Sequence, residues 1–143
     1  MDEEHFENAV RELLGQYDDY DRRAYHFVSA AVSHTVDKIA NETDSGGARH
    51  VSGQELVRGA MEYAFSEYGD LAPDVLEYWG LRTGHDLGVV VFRMIRAGIL
   101  AASKEDSIGD FDSPPDLPGL LREEIRLKAA ADALSAAPLP PIA

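Results

Sequence analysis

The sequence of 143 residues contains no cysteine. Without a thiol, the chain cannot form a disulfide scaffold, a cysteine-ligated zinc or iron–sulfur site, or a thiolate nucleophile. It also has no run of about 18 consecutive apolar residues, the length needed to cross a bilayer. The first residues are acidic where a signal peptide is basic. These absences predict a cytoplasmic protein without a membrane span.

Lysine is also scarce, with three lysines beside ten arginines. The 26 acidic residues outnumber the 13 basic ones, which gives a formal net charge of −13. Such a chain is repelled by phosphate backbones and by anionic membrane surfaces unless a local basic patch overrides the mean charge. The composition therefore disfavours nucleic acid as a partner. The acidic, lysine-poor surface fits a high-salt cytoplasm or a GC-rich genome equally well.

Apolar residues make up 45% of the chain and recur mostly at the three-to-four spacing of buried helix faces. This pattern predicts a mainly α-helical protein, a single compact domain of about six helices. The helices are expected over residues 3–14, 21–41, 52–68, 73–79, 84–97 and 117–135.

Two helix starts carry capping signals. Ser52 and Glu55 have the spacing of a capping box, in which each side chain hydrogen-bonds the other residue's backbone amide. Thr83 and Asp86 repeat the pattern before an apolar segment rich in β-branched residues. A strand competes there because of those residues, but the capped start and the arginines near its end favour a helix.

The chain divides into three parts by composition: a helical domain over 1–112, a C-terminal helical extension over 113–136 and a proline-rich tail over 137–143. Pro114 and Pro115 break the chain before the extension. Residues 99–111 are compatible with a short β-hairpin, and the preceding order of helices is that of a winged helix. This analogy concerns the fold and transfers no function.

A series of short stretches between Phe6 and Phe111 resembles a family of small bacterial proteins to which no activity is attached. The resemblance implies a compact intracellular bacterial domain, and it carries no ligand, cofactor or site residue. It ends near residue 113, before the extension. The matching stretches are Asp21–Thr35, Arg49–Leu56, Tyr68–Gly69, Leu71–Ala72, Trp79–Gly80, Thr83, Asp86, Gly88, Val90–Phe92, Gly98, Leu100, Asp106–Ser107 and Asp110–Phe111.

No nucleophile elbow, phosphate-binding loop, dinucleotide fingerprint or metal-ligand spacing occurs in the sequence, so we predict no catalytic residue, cofactor or metal. One polar cluster is possible if two helix starts converge: Arg49, His50, His85 and Asp86. The favoured interpretation is that these groups cap helices and bond loops. The alternative is an enzyme of unknown reaction that uses His50, His85 and Asp86.

Arg93 and Arg96 lie one turn apart near the end of the fifth predicted helix. They suit either a phosphate-contacting patch or cations that complement the negative end of a helix dipole. The net charge favours the second, structural interpretation. The phosphate-contacting interpretation would support the alternative function, a winged-helix nucleic-acid binder.

The predicted C-terminal helix carries an apolar stripe too narrow to be stable alone in water. The stripe must be covered by the body of the chain, by a second copy or by another protein. We expect a non-enzymatic interaction or assembly module that contacts a protein partner or a second copy through this helix. The expected contact residues are Leu117, Leu120, Leu121 and Ile125.

Overall fold

The computed structural model describes residues 3–42, 51–101, 111 and 116–136. These residues form α-helices and no strand, so the prediction of a mainly helical fold is confirmed. A 3-10 turn at Gly69–Leu71 joins the third helix to the fourth. The α-helices are α1 (Glu3–Gln16), α2 (Arg22–Glu42), α3 (Gly53–Tyr68), α4 (Ala72–Trp79), α5 (Gly84–Arg96) and α6 (Leu117–Ala136).

Both predicted capping boxes form. The Ser52 hydroxyl accepts from the Glu55 amide at 3.1 Å, and the Glu55 carboxylate accepts from the Ser52 amide at 3.1 Å. At the start of α5, Thr83 and Asp86 make the same reciprocal pair, each bond at 3.0 Å. These bonds satisfy amides that have no partner within the helix. The apolar segment after Thr83 is therefore a helix, despite its β-branched residues.

Helix α2 is the centre of the packing, with α1, α3, α4 and α5 all against it. Trp79, at the end of α4, is buried between the rings of Phe27 and Tyr68, whose centroids lie 5.8 and 5.6 Å away. This tryptophan is therefore a residue of the core. The largest side chains that are completely buried are Tyr25, Leu76, Leu81, Leu87, Met94, Leu117 and Leu121.

Gly80 ends α4 in the left-handed region, at φ +92°. A Cβ atom at this position would lie 2.8 Å from the Asp19 carbonyl oxygen. Only glycine combines this backbone conformation with such a close approach of a neighbouring loop. The connection between α1 and α2 is thereby seated directly on the end of α4.

Helix α6 begins at a cap and enters the core at once. The Asp116 carboxylate accepts from the Gly119 amide at 2.9 Å, and the Leu117 amide donates to the Arg82 carbonyl at 2.8 Å. Leu117 and Leu121 are completely buried, because the helix packs on α4 and α3. The core therefore crosses the boundary predicted at residues 112/113.

The predicted hairpin near 99–111 falls mostly outside the described residues, as does the tail over 137–143. Residues 99 and 100, where its first strand was expected to begin, form a bend instead of a strand. Within the described ranges, no helix combines the length and the apolar character that a bilayer crossing requires.

Candidate functional site

Only half of the predicted polar cluster can be placed, since Arg49 and His50 lie outside the described residues. His85 is exposed on the first turn of α5. The Asp86 carboxylate accepts from the Tyr20 hydroxyl at 2.6 Å through one oxygen, and from the amides of Arg82 and Thr83 at 3.0 Å through the other. Both of its oxygens are thus committed to holding the fold, which favours the capping interpretation over a catalytic base.

Tyr20 connects this cap to the α1–α2 loop. Its ring is buried, and burial together with the hydrogen bond to Asp86 raises the pKa of the hydroxyl well above its usual range. The hydroxyl therefore stays protonated and remains a donor. The bond joins residues 66 positions apart in sequence and fixes the loop to the start of α5.

Arg93 is engaged by the same loop. Its guanidinium donates to both Asp19 carboxylate oxygens, at 2.7 and 2.8 Å, and to the Tyr25 hydroxyl at 3.2 Å. The guanidinium carbon lies 3.7 Å from the centre of the Tyr17 ring, a cation–π contact. Hydrogen bonding from Arg93 lowers the pKa of Asp19. Arg93 is therefore held by an ion pair with the α1–α2 loop, a partner that the helix-dipole interpretation did not include, and Arg96 stays exposed one turn further on.

Replacing Arg93 with methionine should lower the free energy of unfolding by about 1–2 kcal/mol, since the stem is retained while the ion pair and ring contact are lost. Asp19 is half exposed, which keeps this value modest. Folding lowers the pKa of Asp19, so the ion pair contributes its full stability at pH values above the pKa of Asp19 in the unfolded chain. That stability is lost as the pH falls through the lower pKa of the folded state. Urea unfolding should therefore show a wild-type advantage at pH 7 that shrinks below about pH 4. The matched change at exposed Arg11 should cost nothing, and equal stability of the wild type and the Arg93 variant at pH 7 would contradict the assignment.

The histidines do not assemble a metal site in the described residues. The Nε2 atom of His26 lies 3.1 Å from the Glu7 carboxylate, whereas His34 packs on the Tyr63 ring, 4.0 Å from the Glu62 carboxylate. The two rings therefore have different neighbours. No cluster of three or more potential ligands occurs in the part of the chain that the structure describes.

A groove with a volume of about 420 Å³ lies between α1 and α5. Alanine, leucine, valine and phenylalanine side chains line it, together with Glu12 and Gln16 on α1 and Arg93 and Arg96 on α5. Its volume falls within the range typical of ligand pockets, about 300–1,000 Å³. The groove was not predictable from the sequence, because nothing in the local pattern indicates that the two helices are neighbours.

The predicted partner-contact residues on α6 separate into two groups. Leu117 and Leu121 belong to the core of their own chain and leave no surface for a partner, which corrects the expectation for these two. Leu120 and Ile125 are partly buried. The physical reason is that the first half of the helix packs on α4, where Arg122 also bridges Asp74 and Glu77.

Beyond Ile125 the helix is exposed. Every side chain from 126 to 134 is exposed to solvent, and we call this segment the arm. It carries Leu127 and Leu134, which are 55% and 82% exposed. The Lys128 ammonium lies over the Phe65 ring of α3, 4.7 Å from its centre, and ties the base of the arm to the body. The seven-residue spacing of the two leucines was visible in the sequence but lay beyond the predicted stripe.

No protein-family model, curated protein or solved structure matches this chain. The resemblance to a bacterial family stays a prediction.

Proposed function

We propose that this chain is a non-enzymatic protein–protein interaction module that contacts its partner through the arm. The observation that carries the proposal is the exposure of the arm, in which two leucines stand in solvent on a helix whose first half is anchored in the core by Leu117 and Leu121. Large apolar side chains held on a projecting helix form the kind of surface that a partner covers.

The energetics support the same conclusion. Burying a leucine side chain is worth about 1.5–3 kcal/mol, so covering Leu127 and Leu134 provides a substantial driving force for association. The alanines at 129–131 and 133 add little bulk and allow a partner to approach the helix closely. Such a helix presents anchors at regular spacing, as in helix-in-groove recognition.

The rival functions have less support from the described residues. An enzyme based on Asp86 needs a carboxylate free to act, and both of its oxygens already accept hydrogen bonds. A nucleic-acid binder based on Arg93 and Arg96 needs both guanidinium groups for phosphate, and Arg93 already pairs with Asp19. The net charge of −13 opposes phosphate binding further.

Site-specific photocrosslinking in the native cell tests the proposal, because it captures whichever protein contacts the arm. A photoreactive phenylalanine analogue in place of Leu134 should give one discrete crosslinked product. The same analogue in place of Ser33, which is exposed on α2, is the matched control and should give none. Absence of any product from Leu134, or an indistinct smear equal to that from Ser33, would overturn the proposed function.

A further inference from the structure

We propose that the arm of one copy of this chain docks in the α1/α5 groove of a second copy. This inference rests on the proposed function and names the partner. The chain holds two surfaces that lack a counterpart in the described fold. One is a helix segment with exposed leucines, and the other is a groove between two helices.

The walls of the groove have the regularity that a helix requires. Residues 9, 12, 13, 16 and 17 of the α1 segment and residues 89, 92, 93, 96 and 97 of the α5 segment line it. Both series follow the i, i+3, i+4, i+7, i+8 spacing of one helix face, and each face extends about 12 Å at 1.5 Å per residue. The groove is therefore about two helical turns long.

The arm matches this length. Its two leucines are seven residues apart, which places them about 10.5 Å from each other on one side of the helix. Ala130 and Ala131 lie between them on the same side, and their small side chains permit close approach to the walls. The apolar lining of the groove, which includes Leu13 and Phe92, is the surface that Leu127 and Leu134 would cover.

One charged pair also matches the two surfaces. Arg96 stands on the α5 wall, and the described residues offer it no ion pair. On the incoming helix, Glu124 lies about 60° from Leu127 on one side of the leucine line, whereas Glu123 and Arg126 lie about 40° and 100° away on the other side. The proposed docking places Glu124 beside Arg96.

This pairing breaks no ion pair among the described residues. Glu124 is exposed, and Arg126 keeps its bond to Glu123 on its own helix. The contact between Glu124 and Arg96 therefore favours one orientation of the arm, while the leucines supply the affinity.

The second copy is the occupant because the arm cannot reach its own groove. Leu117 and Leu121 fix the first half of α6 in the core, and Lys128 ties the next turn to Phe65 on α3. Two copies, by contrast, each provide one arm and one groove. A two-fold arrangement satisfies both contacts at once, and this symmetry is the commonest among oligomers.

The oligomeric state of the full chain tests the proposal, measured by sedimentation equilibrium up to about 0.5 mM, above the micromolar constants typical of weak specific complexes. The wild type should dimerise. An arm variant, Leu127→Asp with Leu134→Asp, and a groove variant, Gln16→Trp with Arg96→Glu, should each be monomeric. Circular dichroism should show both folded, since all four positions are exposed. An exposed control, Arg58→Glu, should dimerise like the wild type.

Mixing the arm variant with the groove variant is the most direct test of arm-in-groove docking. The arm variant has an intact groove and the groove variant an intact arm, so an equimolar mixture should form heterodimers through one contact. In a separate chain, Glu124→Arg should restore at least part of the dimerisation that Arg96→Glu alone weakens by about tenfold. A groove variant that still dimerises while the arm variant does not would show arm-to-arm pairing and would overturn the proposal.

The crosslinking experiment separates this inference from the proposed function. A product at twice the mass of the chain supports both. A wild type that stays monomeric, with a crosslinked product of another mass from Leu134, would overturn docking between copies and leave the interaction module standing. A monomer with no product would overturn both.

Discussion

A chain that ends at Asp116 is expected to be unfolded, whereas a chain that ends at Ile125 should be as stable as the full-length protein. The first truncation removes Leu117 and Leu121, both completely buried. Leucine-to-alanine changes in protein cores cost about 2.7–5 kcal/mol each. Losing two such side chains removes a large part of the roughly 5–15 kcal/mol that typically stabilises a domain.

The second truncation is the matched control, since it removes the arm and no side chain of the core. Circular dichroism and thermal melting of both chains make the comparison. The chain ending at Ile125 should melt within a few degrees of the full-length protein, because the side chains from 126 to 134 are exposed and the losses include only surface contacts such as Lys128 over Phe65 and Arg126 with Glu123. A folded chain ending at Asp116 would show that α6 is dispensable to the core. It would also contradict the corrected role of Leu117 and Leu121.

Gly59→Ala should destabilise the protein by about 2–3 kcal/mol, although alanine is the better helix former by about 1 kcal/mol. Gly59 lies in α3 where that helix meets α2, and a Cβ atom there would stand 1.9 Å from the Thr35 hydroxyl oxygen. Thr35 is buried and donates to the Ala31 carbonyl at 2.8 Å. A β-branched side chain held in this way has few alternative rotamers, so α2 and α3 must move apart to make room for the added methyl group.

Gly15→Ala is the control for this experiment. Gly15 is exposed in α1, and an added Cβ would meet nothing within 4 Å. The same substitution there should stabilise the protein by a few tenths to about 1 kcal/mol. Adding Thr35→Ala to the Gly59 variant should restore part of the loss, because it removes the Thr35 hydroxyl oxygen at 1.9 Å and methyl carbon at 2.9 Å and keeps the Cβ atom at 2.8 Å. Chemical unfolding measures all four chains, and a stabilised Gly59 variant would refute close packing of α2 on α3.

The local features of this fold were predictable from the sequence. Capping boxes depend on residues three positions apart, so Ser52–Glu55 and Thr83–Asp86 marked two helix starts that the structure confirms. The helical periodicity located the remaining helices to within a few residues. The mainly helical class follows from the same local signals.

The candidate site was harder to predict from the sequence, because it depends on which helices become neighbours. Arg93 finds Asp19 across 74 residues, and no local pattern identifies that partner. The stripe on α6 was predicted correctly as apolar, but whether its own chain covers it depends on how α4 is oriented. The same limit applies to the groove between α1 and α5.

The continuity of α6 has a consequence for the speed of recognition. Forming the first turn of a helix is the costly step, and adding further turns to an existing one is much easier. Because Leu117 and Leu121 fix the first turns in the core, the arm starts from a nucleus that is already made. A partner therefore meets a segment biased towards its bound shape and has little chain entropy left to remove. Association through this arm should be faster than association through a disordered peptide of the same sequence, which must order itself on contact.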